Sequence, residues 1–229
     1  MQKTLLIRVI NGVFKKDKAS MGIGTMIIVI AMILVAAIAA SVLIQTANQL
    51  ETQGLQTGQE TRDEISSGIG VIQVIGQYGS RNISGTIYNR FHNMSMIVTS
   101  RAGGSGVDLS EVVIMISNES KMCILSWDST FASAPSGSGI FSTANAFDFG
   151  PDDFGIIVIE DADGSCTSGA PAINRGDKVI LSVNLSACFN GVPSKNDIKG
   201  MVVVEQGSPG VFLFRTPATT SSKTVVEFM

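Results

Sequence analysis

The stretch that decides the fold is Met26–Ile44, MIIVIAMILVAAIAASVLI, in which Ser41 is the single polar residue. No charged residue occurs between Lys18 and Glu51. As an α-helix, these 19 residues span about 28 Å, close to the roughly 30 Å hydrocarbon core of a bilayer. Because the run is apolar on every helical face, it predicts a membrane span or a helix enclosed by other apolar surfaces. It argues against an amphipathic surface helix.

Charge is divided unevenly along the chain. Residues 1–19 carry five basic side chains and one acidic side chain, a net charge of +4. The whole chain of 229 residues has a formal net charge of -3, which leaves -7 for residues 20–229. A nucleic-acid-binding surface needs a basic footprint, and the chain beyond residue 19 has none. The sequence therefore argues against nucleic acid as a partner.

A basic segment followed by an apolar run is typical of an export signal, and two cleavage schemes compete. In an ordinary secretory signal the apolar run is discarded, and Ala37-Ile38-Ala39 ahead of Ala40 provides a cleavage site of the A-x-A type. The basic region would then be long and would contain an apolar stretch of its own, Leu5–Ile10. In the second scheme the cut falls between Ala19 and Ser20, and the apolar helix is retained.

The residues around the second cut resemble the start of archaeal flagellins, also called archaellins. The resemblance rests on Lys18–Ser20, on Gly22–Ile27 (GIGTMI) and on Ala31–Ala40 (AMILVAAIAA), and it covers roughly residues 15–50 closely. Bacterial type IV pilins usually carry a glutamate shortly after the cut, whereas Ser20–Gly24 contains no acidic residue. The archaeal branch of these filament proteins is therefore favoured.

This resemblance implies three parts: a prepilin-type signal peptide at residues 1–19, a helix at residues 20–66 that forms the filament core, and an outer β domain at residues 67–229. The implied partners are further copies of the chain or paralogous subunits, a prepilin-type signal peptidase, the bilayer before assembly, and the membrane platform and motor that rotate the filament for swimming. The implied location is an extracellular filament on the cell surface, reached after transient membrane insertion. We expect no cofactor.

The apolar helix carries a packing signal. Transfer from lipid to a bundle of helices gains little hydrophobic free energy, so assembly depends on close van der Waals contact. Small residues four apart allow such contact, and Ala36 with Ala40 and Ala37 with Ser41 form two such pairs. The residues expected to pack in the filament are Met26, Ile30, Leu34, Ala36, Ala37, Ala40 and Ser41.

Beyond Ile69 the sequence changes to short β-branched and aromatic runs separated by Gly, Ser, Asn and Asp, the pattern of an all-β domain. We therefore predict an α+β chain, with a long apolar N-terminal helix that ends between Gln53 and Ser67 and an immunoglobulin-like β-sandwich after it. Glu205–Val211 predicts a hairpin, and the unbroken run Ile156–Ile159 predicts a strand buried on both faces. The expected strands are 70–77, 85–91, 94–100, 111–117, 122–127, 155–160, 178–185, 200–205, 211–215 and 224–228.

The sequence does not predict an enzyme. The nucleophile elbow, the phosphate-binding P-loop, the HExxH zinc motif and the dinucleotide-binding fingerprint are all missing. The single histidine, His92, has no recognisable catalytic partner and is interpreted as a surface or hydrogen-bonded residue.

Metal and disulfide signals are weak. Glu160–Gly164 places carboxylates at alternate positions before a glycine, as a calcium loop does, but the later ligands are missing, and we interpret the run as an acidic turn without a metal. Cys123, Cys166 and Cys188 have no CxxC spacing. They allow at most one disulfide, and buried free thiols are the alternative.

Four N-x-[ST] sequons make candidates for N-glycosylation on an exported chain: Asn82, Asn93, Asn118 and Asn184. Asn118 follows an expected strand and is the best placed, whereas Asn184 lies within one.

Two other functions are compatible with the sequence. An archaeal type IV adhesion pilin shares the processing and the helix but not usually the Gly22–Thr25 opening. A secreted, soluble β-sandwich binding module would be cleaved after Ala39. The first residue of the mature protein, Ser20 or Ala40, separates the binding module from the filament subunits.

Overall fold

In the computed structural model, the described residues are 2–83, 85–101, 106–144, 146–147, 149–218 and 224–228, with side chains from residue 21 onward except that of residue 83. The chain divides into two compact units, residues 1–58 and residues 59–229.

One helix, α1 (Gln2–Ser66), makes up the first unit and continues into the second. No proline interrupts it, and its apolar segment consists of residues that form helices well in apolar surroundings. The helix ends within the expected interval. The N–H of Ser67 donates to the Asp63 carbonyl at 2.8 Å, and Gly68 then takes a φ of 138°, which a residue with a side chain rarely adopts.

The second unit is a β domain. Its elements are β1 (Ile69–Ile83), β2 (Thr86–Ser100), β3 (Val107–Asp108), β4 (Val113–Ser117), β5 (Met122–Ala132), β6 (Asp153–Glu160), β7 (Cys166–Thr167), β8 (Ala170–Ile173), β9 (Lys178–Asn184), the short helix α2 (Leu185–Phe189), β10 (Asp197–Val203), β11 (Gly210–Arg215) and β12 (Val225–Glu227). Nine strands form one sheet in the order β11-β10-β4-β5-β6-β9-β2-β1-β12, and β3, β8 and β7 form a small second sheet. Neighbouring strands are antiparallel except β5 and β6, which are parallel.

The large sheet curls so that its two edges approach each other across the larger of two hydrophobic clusters. Phe214 on β11 stacks on Phe228, just after β12, with ring centroids 4.5 Å apart. Phe228 also meets Phe91 of β2 edge to face, at 4.9 Å. These rings belong with Phe154 and Phe212 to a hydrophobic core that draws on both halves of the sheet. Burial of this core is the main source of the domain's stability.

The predicted fold class, a long apolar helix followed by a β domain, is confirmed. The Glu205–Val211 hairpin is present as the antiparallel pair of β10 and β11. The prediction for Ile156–Ile159 holds only for its first three residues, because β6 is buried from Phe154 to Val158 while Ile159 is 42% exposed. The expected strands 85–91 and 94–100 are one strand, because β2 bulges at His92 and stays paired on both sides of it: Phe91 and Asn93 pair with the consecutive residues Tyr78 and Gln77. The expected strand 178–185 stops at Asn184, whose side chain caps α2.

Candidate assembly helix and sites on the β domain

The apolar part of α1 is exposed on every face. All described side chains of residues 21–58 are solvent-exposed, so none of the Ile, Leu, Val and Met side chains in this range is buried within the chain. Burying one such side chain is worth about 1.5–3 kcal/mol. Within the described part of the chain, α1 is the one helix long and apolar enough to cross a membrane. The helix therefore requires lipid or other protein copies around it.

The threonine hydroxyls at the two ends of the apolar run are satisfied by the helix itself. The Oγ1 of Thr25 donates to the Gly22 carbonyl at 2.9 Å, and the Oγ1 of Thr46 donates to the Leu43 carbonyl at 2.9 Å. Such bonds to the preceding turn remove the cost of placing a hydroxyl in apolar surroundings. The threonines at the two ends of the apolar run are thus compatible with lipid and with a packed bundle.

The predicted packing residues all lie on this helix and are exposed: Met26, Ile30, Leu34, Ala36, Ala37, Ala40 and Ser41. Their role in packing stays a prediction. Four glycines of α1 add to this packing signal. A Cβ at Gly22, Gly24, Gly54 or Gly58 would meet nothing within 4 Å, so the chain's own packing does not require glycine there. Gly54 and Gly58 form a further pair of small residues four apart.

The predicted cleavage site lies within α1. The backbone at Ala19 and Ser20 is helical, while their side chains lie outside the described set. The cut between them stays a prediction.

The four sequons differ in whether their side-chain amide is available. Asn82 is exposed close to the β1–β2 turn. The Oδ1 of Asn118 accepts from the backbone N–H of Ser120 and Lys121 at 2.9 and 2.8 Å, which orients its amide nitrogen away from the turn. In contrast, the Nδ2 of Asn93 donates to Gln77 Oε1 at 2.8 Å.

Asn184 is the most constrained of the sequon asparagines. It is 8% exposed, and its Oδ1 accepts from the N–H groups of Ser186 and Ala187 at the start of α2. Its Nδ2 donates to the Phe147 carbonyl at 3.2 Å. Both ends of the amide are engaged, so a glycan at this position would disrupt a helix cap.

The acidic turn brings three carboxylates together, with oxygens of Asp161, Asp163 and Asp177 within 4.8 Å of one another. Asp177 is distant in sequence and was not predicted. Hydrogen bonds from Ser165 and then Asn174 lower the pKa of Asp163. Carboxylate oxygens are suitable ligands for a hard cation. However, oxygens of this cluster already accept hydrogen bonds from backbone N–H groups: Gly164 donates to Asp161 at 2.9 Å, and Asn174 donates to Asp177 at 2.9 Å. The absence of a metal here stays a prediction.

His92 is 5% exposed and fully hydrogen-bonded. Its Nδ1 lies 2.7 Å from Ser186 Oγ, and its Nε2 lies 3.0 Å from the Gly79 carbonyl and 3.2 Å from that of Tyr88. Nε2–H therefore donates to the carbonyls and Nδ1 accepts from the serine. Burial lowers the pKa of His92. The side chain ties α2 to the β1–β2 hairpin, in agreement with a hydrogen-bonded structural role.

The cysteines resolve into one disulfide and one thiol. Cys123 on β5 is bonded to Cys188 on α2, across 65 residues of sequence. Cys166 is buried, and this burial raises the pKa of its thiol to about 11. A thiol with such a pKa is protonated and unreactive at neutral pH.

A separate β domain joined to a fully exposed apolar helix defines a subunit built to be held in lipid or in a helical polymer, with no catalytic constellation among the residues described. The family model for archaeal-type flagellin matches residues 19–214. The chain belongs to the archaeal-type flagellin family, and it is a structural subunit of an extracellular filament on the archaeal cell surface.

Individual relatives agree. Flagellin B2 of Methanocaldococcus jannaschii is 37% identical over 216 residues, which cover 93% of this chain and 96% of the relative. Flagellin B3 of Thermococcus kodakarensis is 31% identical over 248 residues, covering 90% and 96%. The crystal structure of archaeal flagellin FlaB1 from M. jannaschii matches with a TM-score of 0.59 and 29% identity, over 71% of this chain and 96% of that one. The archaeal flagellum of Methanospirillum hungatei strain JF1 shares the fold, with a TM-score of 0.58 at 15% identity over 86% and 94%.

Proposed function

We propose that the chain is made as a precursor, cut between Ala19 and Ser20 by a prepilin-type membrane peptidase, and held in the bilayer by α1 before it enters the filament. The supporting observation is the exposure of every described side chain of residues 21–58, which neither the unit itself nor water can stabilise. Lipid satisfies this surface first, and the same helix of other copies satisfies it in the filament. Retention of the helix requires a cut before the apolar run.

N-terminal sequencing of shed filaments tests the cut. We expect Ser20 as the first residue, whereas Ala40 would contradict the proposal and favour a soluble secreted domain. A matched pair of variants sharpens the test. Ala19→Trp places a bulky side chain at the cut and should accumulate the precursor, while Ala39→Trp should be processed like the wild type. The precursor is recognised by a mass greater by residues 1–19.

Filament rotation is assigned to other proteins. The chain carries no phosphate-binding P-loop, so the energy for rotation must come from a membrane platform and motor with their own nucleotide site. The subunit's part is passive, namely to polymerise with further copies or with paralogous flagellins into a filament stiff enough to be turned. Interfaces of this head-to-tail kind, whose rotation does not close, give open helical polymers.

N-glycans are proposed on Asn82 and Asn118 rather than on Asn93 and Asn184. Oligosaccharide attachment needs a free amide nitrogen on an accessible segment, and the amides of the second pair donate hydrogen bonds within the domain. Mass spectrometry of peptides from purified filaments tests this assignment. Glycan mass on Asn184 with none on Asn82 or Asn118 would refute it.

A further inference from the structure

One solvent-exposed surface of the β domain carries apolar residues at positions where polar residues are expected. In the antiparallel strands β4, β5, β10 and β11, residues alternate between inward and outward positions, and the inward set, such as Ile114, Val202 and Phe212, forms the core. Antiparallel sheets with one packed face normally carry polar residues on the other. Here the outward set contains a large apolar part. It defines the methionine face: Met115, Met122, Ile124, Met201, Val211 and Leu213.

Strand register makes the methionine face continuous. Met201 pairs with Val211 on one side and with Met115 on the other, and Met115 pairs with Ile124. These four residues form one row across four neighbouring strands, a distance of about 14 Å at the usual strand spacing. Leu213 and Met122 lie at the two ends of the next row. Exposed apolar residues elsewhere on the sheet have polar partners: Ile87 pairs with Asn82, and Val225 pairs with Gln77.

The rim of the face is charged, as in a protein interface. Between Leu213 and Met122, the second row contains Lys199, which forms no ion pair with any described residue. The row beyond it ends in the ion pair of Arg215 with Asp197 at 3.5 Å. The methionine face therefore contains one basic side chain among apolar residues, Lys199, which is unpaired within the described part of the chain.

Charge changes sign along the β10–β11 hairpin. Six residues after Lys199, about 20 Å along the chain, Glu205 lies in the turn and shares an acidic groove with Asp63 and Glu64 at the end of α1. A copy placed with its acidic groove opposite Lys199 of the next copy matches opposite charges. Residues 20–229 carry a net charge of -7, so the surface of another copy of this chain is acidic. Another copy can therefore provide a carboxylate that pairs with Lys199.

We propose that the methionine face is the contact between β domains of neighbouring copies in the filament, a second interface besides α1. The proposal rests on the filament role, which places copies side by side at fixed spacing. Methionine suits such a contact because its flexible, polarisable side chain adapts to a neighbouring surface. A contact between unlike surfaces repeats along an open polymer, as a filament requires.

Thiol labelling of assembled filaments tests the contact. Leu213→Cys places a thiol on the methionine face, and Ile87→Cys is the matched control off the face, since the parent residues are 66% and 68% exposed. Filaments that contain this chain as their sole flagellin are reacted with a maleimide, without reductant so that the native disulfide stays closed. The same variants released as subunits in detergent give the reference rate.

We expect Leu213→Cys to react about tenfold more slowly in filaments than in released subunits, because an interface core excludes water, while Ile87→Cys changes much less. Equal rates for Leu213→Cys would overturn the contact and leave the filament role intact. Protection on cells that is lost in purified filaments would also overturn it, since another protein would then cover the face. A wild-type chain that forms no filaments would contradict the assembly role itself.

Filament stability provides a second measurement. Leu213→Glu and Lys199→Glu change exposed side chains, so the β domain should fold normally, but filaments should fall apart at lower temperature than wild-type filaments. Ile87→Glu, the matched control, should leave the disassembly temperature unchanged. If all three variants behave like the wild type under electron microscopy during heating, the methionine face is not a subunit contact.

Discussion

At the scale of single residues, His92 links α2 to the β1–β2 hairpin in its neutral form. Burial is the main cause of its lowered pKa, and the nearby Arg81 and Arg90 lower the pKa further, against the opposing effect of the Tyr88 and Gly79 carbonyls. The unfolded chain, with a pKa near 6.5, therefore binds a proton more readily than the folded one. The stabilisation is complete above that pH and is lost as the pH falls through the folded pKa.

We therefore predict that the unfolding temperature of the β domain decreases as the pH is lowered from 7.5 to 5.5, a window in which carboxylates titrate little. The fluorescence of the single tryptophan, Trp127, reports the transition in the full chain in detergent. His92→Gln should be less stable at pH 7.5 but should show a flatter pH dependence. An equal slope in wild type and variant would assign the effect to other groups.

The disulfide gives a second prediction at this scale. Closing a loop across 65 residues restricts the unfolded chain, and its loss typically costs about 2–4 kcal/mol. Cys123→Ser combined with Cys188→Ser should therefore unfold at distinctly lower denaturant concentration than the wild type, and a reductant should have no further effect on it. Cys166→Ala is the control, because it retains the disulfide and should still be destabilised by reductant. If a reductant does not lower the denaturant concentration at which the wild type unfolds, the disulfide does not stabilise the domain.

At the scale of elements, α1 combines large side chains with small ones, and the small ones determine how near a neighbouring helix can come. Ala36→Leu together with Ala40→Leu keeps helix propensity and hydrophobicity high while filling the space between helices. We predict normal precursor processing and membrane levels but about tenfold fewer filaments by electron microscopy, the loss expected when close packing is blocked. Val35→Leu with Ile38→Leu, which changes large residues only, should assemble normally.

Reduced membrane insertion of the alanine double variant would point to a different cause, so the subunit level in the membrane fraction is measured alongside the filaments.

Sequence patterns predicted the elements better than their connections. The run Met26–Ile44 is long and uniform enough to predict α1, and alternating apolar residues placed most strands of the large sheet correctly. Parallel pairing of β5 with β6 could not be predicted, because register and partner depend on contacts between distant segments. The helix α2 was missed since Asn184 looks like the end of a strand until its side chain is seen to cap the next turn.

Sites were predicted less completely than elements, for the same reason. The sequons are local motifs and were recognised at once, yet their availability depends on hydrogen bonds such as that from Asn93 to Gln77. Asp177 joins the acidic turn from 14 residues beyond Asp163, and only folding brings the two together. The sequence did not predict the methionine face, because its residues alternate with core residues on four separate strands.

At the scale of the whole molecule, the two units divide the work of assembly. The first unit supplies an apolar segment without charge, residues 19–50, which suits lipid and the interior of a polymer but gives little specificity. The β domain supplies charge, a defined shape and the methionine face, features by which a subunit distinguishes its proper neighbours.

This division also separates swimming from attachment. If the filament is turned by a motor, deletion of the gene should abolish swimming in soft agar, and attachment to surfaces should persist because adhesion pilins are separate polymers. The Ala36→Leu/Ala40→Leu variant should fail to restore swimming although its subunit reaches the membrane, because a subunit whose helix cannot pack does not assemble into a filament. The His92→Gln variant is the control, because it alters the β domain's stability and leaves α1 unchanged, so it should restore swimming at neutral pH. Normal swimming of the deletion strain, with no paralogous flagellin to replace the chain, together with a loss of attachment, would instead identify an adhesion filament.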